Sequence, residues 1–164
     1  MNSTSRNIAY PFLSLSIVFA CSNCDSKDTG VSEPDNWVKV ECPDFAFWIP
    51  ENFEDKSKIG FDSYTRKFVS TQIDLSLDYG SVAGDVSGSE FDSFKKTHTT
   101  VNGRKSTLID GYSPHPGHKF DYMAAAHFPP KERDVSALLI WANCSDKSAV
   151  ELAKTIFKTV RFHE

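Results

Sequence analysis

Residues 72–79 alternate without a break: Ile73, Leu75, Leu77 and Tyr79 interleave with Gln72, Asp74, Ser76 and Asp78. Extended backbone sends every second side chain to the same side, so this stretch is a strand with one face on a core and the other toward water. Such a strand needs neighbours, and the rest of the chain supplies them. Residues 45–49 (FAFWI) are apolar on both faces and end at Pro50, which has no N–H for a ladder. Residues 62–69 read as a strand of mixed faces. Asn102-Gly103 separates 98–101 from 104–112 and readily takes the positive φ angles of a type I′ hairpin turn. Residues 119–128 put Phe120, Tyr122, Ala124 and Ala126 on one side. Residues 135–142 (VSALLIWA) are apolar on both faces, which suits a strand covered on each side.

Two helices are expected beside these strands. A short one over 90–96 is suggested by Phe91 and Phe94, three residues apart. A long one follows Ser148 and Glu151, which have capping-box spacing, with Asp146 a competing cap. Its apolar stripe is Ala149, Leu152, Ala153, Ile156, Phe157 and Val160. The expected fold class is therefore α+β: a mostly antiparallel twisted sheet with a long C-terminal helix and a short helix packed on it.

The first twenty residues read as an address. Residues 1–6 are polar with Arg6 as the charge, and 8–20 are apolar apart from two serines, the length of a signal-peptide core and too short for a span. Val18-Phe19-Ala20-Cys21 resembles a bacterial lipobox. That resemblance implies cleavage after residue 20, diacylation of Cys21, and attachment to a membrane facing the periplasm or exterior. Several acyl chains hold a protein on a bilayer where a single chain binds only marginally. Residues 22–36 are rich in Ser, Asp, Gly and Pro and bury too little to offset their ordering entropy. The expected organisation is a signal peptide over 1–20, a tether over 21–36 and one globular domain over 37–164.

Of four cysteines, Cys21 is assigned to lipid and Cys24 to the tether. In an oxidising compartment Cys42 and Cys144 are the expected disulfide, closing a loop worth about 4–5 kcal/mol by chain entropy. The alternative is a pair of buried free thiols. Cys21 and Cys24 form a CxxC, yet at a processing site rather than on a rigid helix start, so no redox role is assigned.

The strand order resembles the PsbP-like fold, carried here by FAFWIP, VNGRKSTLIDGY and IFKTVRF. The resemblance spans residues 37–163. It implies an α/β/α sandwich and a non-catalytic binding or assembly role, and it transfers no functional residue. A net charge of −4 offers no basic field to a polyanion, so no nucleic-acid partner is expected. The expectation is an exported, lipid-anchored binding module of the cell envelope, with an envelope protein or small ligand as partner and no cofactor.

The enzymatic alternative rests on His115, His118 and His127, three imidazoles that a turn could gather around a metal. No metal site is assigned to them, because the Pro-rich segment 113–118 reads as an ordinary loop. Residues 84–90 (GDVSGSE) lack the Lys of a phosphate-binding loop. Asp74 and Asp78 are outward acids and at most weak Ca²⁺ ligands. The aromatics Trp48, Trp141, Phe45, Phe47, Phe120 and Tyr122 are assigned to the core. Their second destination is a pocket or partner groove between sheet and helix.

Overall fold

The computed structural model describes residues 30, 31, 33–57, 63–81, 83, 93–112, 114, 119–131 and 135–163. The signal peptide, Cys21, Cys24, His115, His118 and residues 84–90 lie outside the described residues.

The strands are β1 (Trp37–Glu41), β2 (Phe45–Pro50), β3 (Glu54–Asp55), β4 (Tyr64–Val69), β5 (Ile73–Gly80), β6 (Ser93–Val101), β7 (Arg104–Tyr112), β8 (Tyr122–Phe128), β9 (Ala137–Cys144) and β10 (Arg161–Phe162). The helix is α1 (Lys147–Phe157). A seven-stranded antiparallel sheet runs β3-β4-β5-β9-β8-β7-β6, and a three-stranded one runs β1-β2-β10.

This architecture corrects the expected α+β class and the α/β/α sandwich. Among the described residues the molecule is mostly strand, and its helix is a short one of 11 residues. The helix expected over 90–96 is replaced from residue 93 by strand β6, paired with β7 from Ser93↔Tyr112 to Val101↔Arg104. At Phe94 the helical spacing gives way to the ladder that a tight turn imposes. Asn102 and Gly103, at φ 46° and 78°, close that turn. Once they do, the zipper extends as far as β7 offers partners. Strands β1 and β10 were not anticipated, and β2 holds both in register.

Strand β5 behaves as its alternation requires. Ile73, Leu75 and Leu77 are buried, whereas Asp74, Ser76 and Asp78 are half-buried on the other face. Strand β9 sits beside it in the middle of the sheet with Leu138, Ile140, Ala142 and Cys144 fully buried. The inner face of the three-stranded sheet covers one part of this core. Phe47 meets Phe68 edge-on at 5.8 Å, Phe45 meets Tyr79 at 5.3 Å, and Phe162 meets Phe128 at 5.6 Å. Helix α1 covers β8 and β9 with Ala149, Val150, Ala153, Ile156 and Phe157. Burying Ile156 or Phe157 contributes roughly 1.5–3 kcal/mol each.

The competing cap is the one used. The Asp146 carboxylate accepts from the Ala149 N–H at 2.9 Å, and the helix begins at Lys147. At the other end Thr159 joins the two layers. The Trp48 N–H donates to its Oγ1 at 2.9 Å, and its hydroxyl donates to the Ile156 carbonyl at 2.6 Å. Thr159 is 1% exposed, so water cannot replace either bond.

Thr159→Val keeps the shape and strands the buried Trp48 N–H, and it is expected to destabilise by about 1–3 kcal/mol in urea unfolding. Thr155→Val, whose hydroxyl bonds back to Glu151 of the same helix at 2.9 Å, is the control and should change stability by less than about 0.5 kcal/mol.

Candidate functional site

Helix α1 is too narrow to cover every strand beneath it. It lies on β8 and β9, and the face of β7 and β6 beyond it is left as the floor of a groove of about 370 Å³. The floor carries Tyr112, Asp110 and Lys95; Tyr122 stands at its inner edge; Lys147, Val150 and Glu151 of the helix form the wall. Register explains which side chains share this face. Residues paired across strands point the same way. Ser93 pairs with Tyr112 and Tyr112 with Tyr122, while Lys95 pairs with Asp110. Asp110 reaches Lys154 of α1 at 3.3 Å, so this whole set faces the helix. Phe94, one residue out of phase on the edge strand β6, borders the groove as well and is 49% exposed.

The two tyrosine rings pack with centroids 5.2 Å apart at 59°, forming a corner rather than a stack. Tyr112 is 40% exposed, a large aromatic surface for a folded chain to leave in water. Below the corner Lys154 bridges two acids, Asp110 at 3.3 Å and Glu151 at 2.9 Å. Burial would pull the Lys154 ammonium down; its bonds to Glu151 and Asp110 more than offset this and hold it above the usual lysine range. The bridge fixes the helix at its distance from β7.

Asp146 orients the helix end that walls the groove. Its bond from the Ala149 N–H, with a second from Ser145, holds its carboxyl below the usual range.

A second depression, of about 550 Å³, lies against β4 and β5, lined by Thr65, Lys67, Ser76 and Trp141 among others. Trp141 is half-buried there, outside the core cluster, and pairs with Ser76 on the face that α1 does not cover, so it follows neither destination read for the aromatics. Tyr122 follows the second, at the helix groove. Phe45, Phe47, Trp48 and Phe120 are buried. Trp48 is roofed by two cations, Lys39 at 5.5 Å and Arg161 at 5.0 Å from its ring.

His127, on β8, pairs with Thr107 and Leu139, out of phase with the helix-facing Ala124 and Ala126. Asp74 and Asp78 sit four residues apart along one strand, roughly 13 Å, too far to share an ion. Each has an Oδ1 that is buried without a hydrogen-bond partner among the described residues, and Lys119 stands 4.0 Å from that of Asp74. No group of three His, Cys, Asp or Glu able to hold a metal occurs among the described residues.

Cys42 and Cys144 are both free and buried, so the expected disulfide is not formed; the alternative of two buried thiols describes the structure. Each sulfur is engaged locally. Cys144 donates to the Ala142 carbonyl at 3.6 Å, and Cys42 lies beside Tyr64 and Arg66. Burial pushes the Cys42 thiol up to about 11 and, aided by Asp146, the Cys144 thiol up to about 12.

The sequence singled out Tyr122 but not Tyr112, Asp110, Lys95 or Lys147. Their shared face depends on the β6–β7 register, whose only sequence signal is the Asn102-Gly103 turn counted outward along both strands. No protein-family model matches the chain, and no curated protein matches it.

Two outcomes follow from this geometry. Thiol reagents at neutral pH should leave Cys42 and Cys144 unlabelled in the folded protein and label both on unfolding without reductant, read by mass spectrometry; protection of both after unfolding would indicate a bridge. Because the Asp146 carboxyl is lowered in the folded state, its stabilising effect is complete above the ordinary carboxylate range and disappears as pH falls through the lowered value. Asp146→Asn, which retains a capping oxygen, should flatten that part of the acid limb of stability measured from pH 6 to about pH 2.

Proposed function

We propose that this chain is an exported, lipid-anchored binding module of the bacterial cell envelope, and that the groove between α1 and β7 is its ligand-binding end. The observation carrying this reading is where the N-terminal segment joins the domain. The Val31 N–H donates to the Lys158 carbonyl at 3.1 Å, and Glu33 pairs with Arg161 at 3.3 Å. A Cβ on Gly30 would fall on the Asn102 side chain, so only glycine passes this close to the hairpin tip. The chain therefore enters at the end of the domain that holds the turn of β6 and β7.

The groove is at the other end of the same hairpin. From Arg104 to Tyr112 is eight steps of strand, roughly 27 Å. Residues 21–30 can span at most about 32 Å when fully extended. An acylated Cys21 would keep the turn end near the bilayer and present the tyrosine corner away from it. The mechanism is tethered presentation, in which anchoring raises the local concentration of the site at the membrane surface.

Cys21→Ala is expected to move the protein from the membrane fraction of its native cells to the soluble fraction. Membrane retention of that variant, or an intact Met1 on the native protein by mass spectrometry, overturns the anchored reading.

A further inference from the structure

The ammonium groups and carboxylates at the groove are unevenly paired. The whole chain carries −4. Lys95, Lys147, Asp110 and Glu151 line the groove, and Lys154 stands beside them. Asp110 and Glu151 are both held by Lys154. Asp146, the nearby acid at the helix end, is committed to the Ala149 N–H. Lys95 on the floor and Lys147 on the wall are left without an acidic partner among the described residues.

We infer that the groove binds a small oxyanion, carboxylate or phosphate, borne on a ring, with Lys95 and Lys147 taking the charge and the Tyr112–Tyr122 corner taking the ring. This rests on the groove being the binding end of the molecule. An apolar ligand would strip water from two unpaired ammonium groups without replacing it. A cation would meet them head-on. A bare inorganic anion would leave the exposed Tyr112 face unused. A volume of about 370 Å³ is at the small end for ligand sites, which fits one ring-bearing unit, free or at the end of a larger molecule.

The test uses the full chain and four probes: benzoate, phenyl phosphate, benzyl alcohol and inorganic phosphate, titrated by calorimetry and followed by NMR. At least one of the two ring anions should bind saturably and at least roughly tenfold more tightly than benzyl alcohol and inorganic phosphate. Which of the two binds better identifies the oxyanion. The double substitution Lys95→Gln with Lys147→Gln should weaken it by roughly tenfold or more, and Tyr112→Ala should weaken it while leaving the fold intact. Equal affinity for benzyl alcohol, equal affinity for inorganic phosphate, or an unchanged double variant would each overturn the assignment. Cys21→Ala should bind the same probe unchanged, so failure of the anchor and failure of the groove are read separately.

Discussion

The apolar face of the seven-stranded sheet is wider than anything the chain has to lay across it. Seven strands at about 4.8 Å spacing span roughly 29 Å. A helix is about 10 Å across, and eleven residues of it reach only about 16 Å along its axis. A single helix of this size therefore cannot close the core. The chain answers with a second cover, β1-β2-β10, whose inner aromatics Phe45, Phe47 and Phe162 fill what α1 leaves open over β4, β5 and the lower end of β8. Neither cover reaches the end of β7 and β6 beyond α1, and that uncovered face is the floor of the groove.

The covers hold position because each is tied by polar groups, two of them, Thr159 and Arg104, buried from water. Thr159 locks β2 to the last turn of α1. Arg104, 8% exposed, lays its guanidinium over Phe162 at 4.2 Å and donates to the Pro129 carbonyl at 3.2 Å, tying hairpin, β8–β9 connection and β10 together. Lys154 ties the helix flank to β7. These three sites surround the core at different heights, so helix and small sheet cannot slide independently. Rigidity of that kind lets the tyrosine corner stay open: with α1 fixed by Asp110, Tyr112 has no route to burial.

What was legible in the residues was whatever depends on a local period. The alternation of 72–79, the Asn102-Gly103 turn and the stripe of α1 each specify their element through neighbours in sequence. The failures were places where a distant partner decides. Phe91 and Phe94 have helical spacing, but nine register pairs with β7 outweigh a weak local preference. Strand β10 has two residues and exists because Ala46 and Phe45 lie alongside. The cysteines illustrate the same limit. Their separation in sequence says what a bridge would contribute, and only packing says that Cys144 points into the core beside Ala142. The groove was half legible: Tyr122 was placed between sheet and helix as one of two options, while Lys95, Asp110 and Tyr112 carry no pattern of their own.

One consequence of the hairpin ties the two ends of the molecule together. Its turn end receives the N-terminal segment and the C-terminal bend: Asn102 donates to the carbonyls of Lys158 at 3.2 Å and Val160 at 2.9 Å, and Gly30 lies against it. Its open end forms the groove floor. The β6–β7 ladder is continuous between them, so a change in how the chain is held at Asn102 acts on a stiff ribbon rather than a flexible loop. Ser106, midway along β7, is 4% exposed with an Oγ that has no hydrogen-bond partner among the described residues. The hairpin thus joins the entry of the N-terminal segment to the groove through the backbone itself, and the distance between them is set by its number of residues.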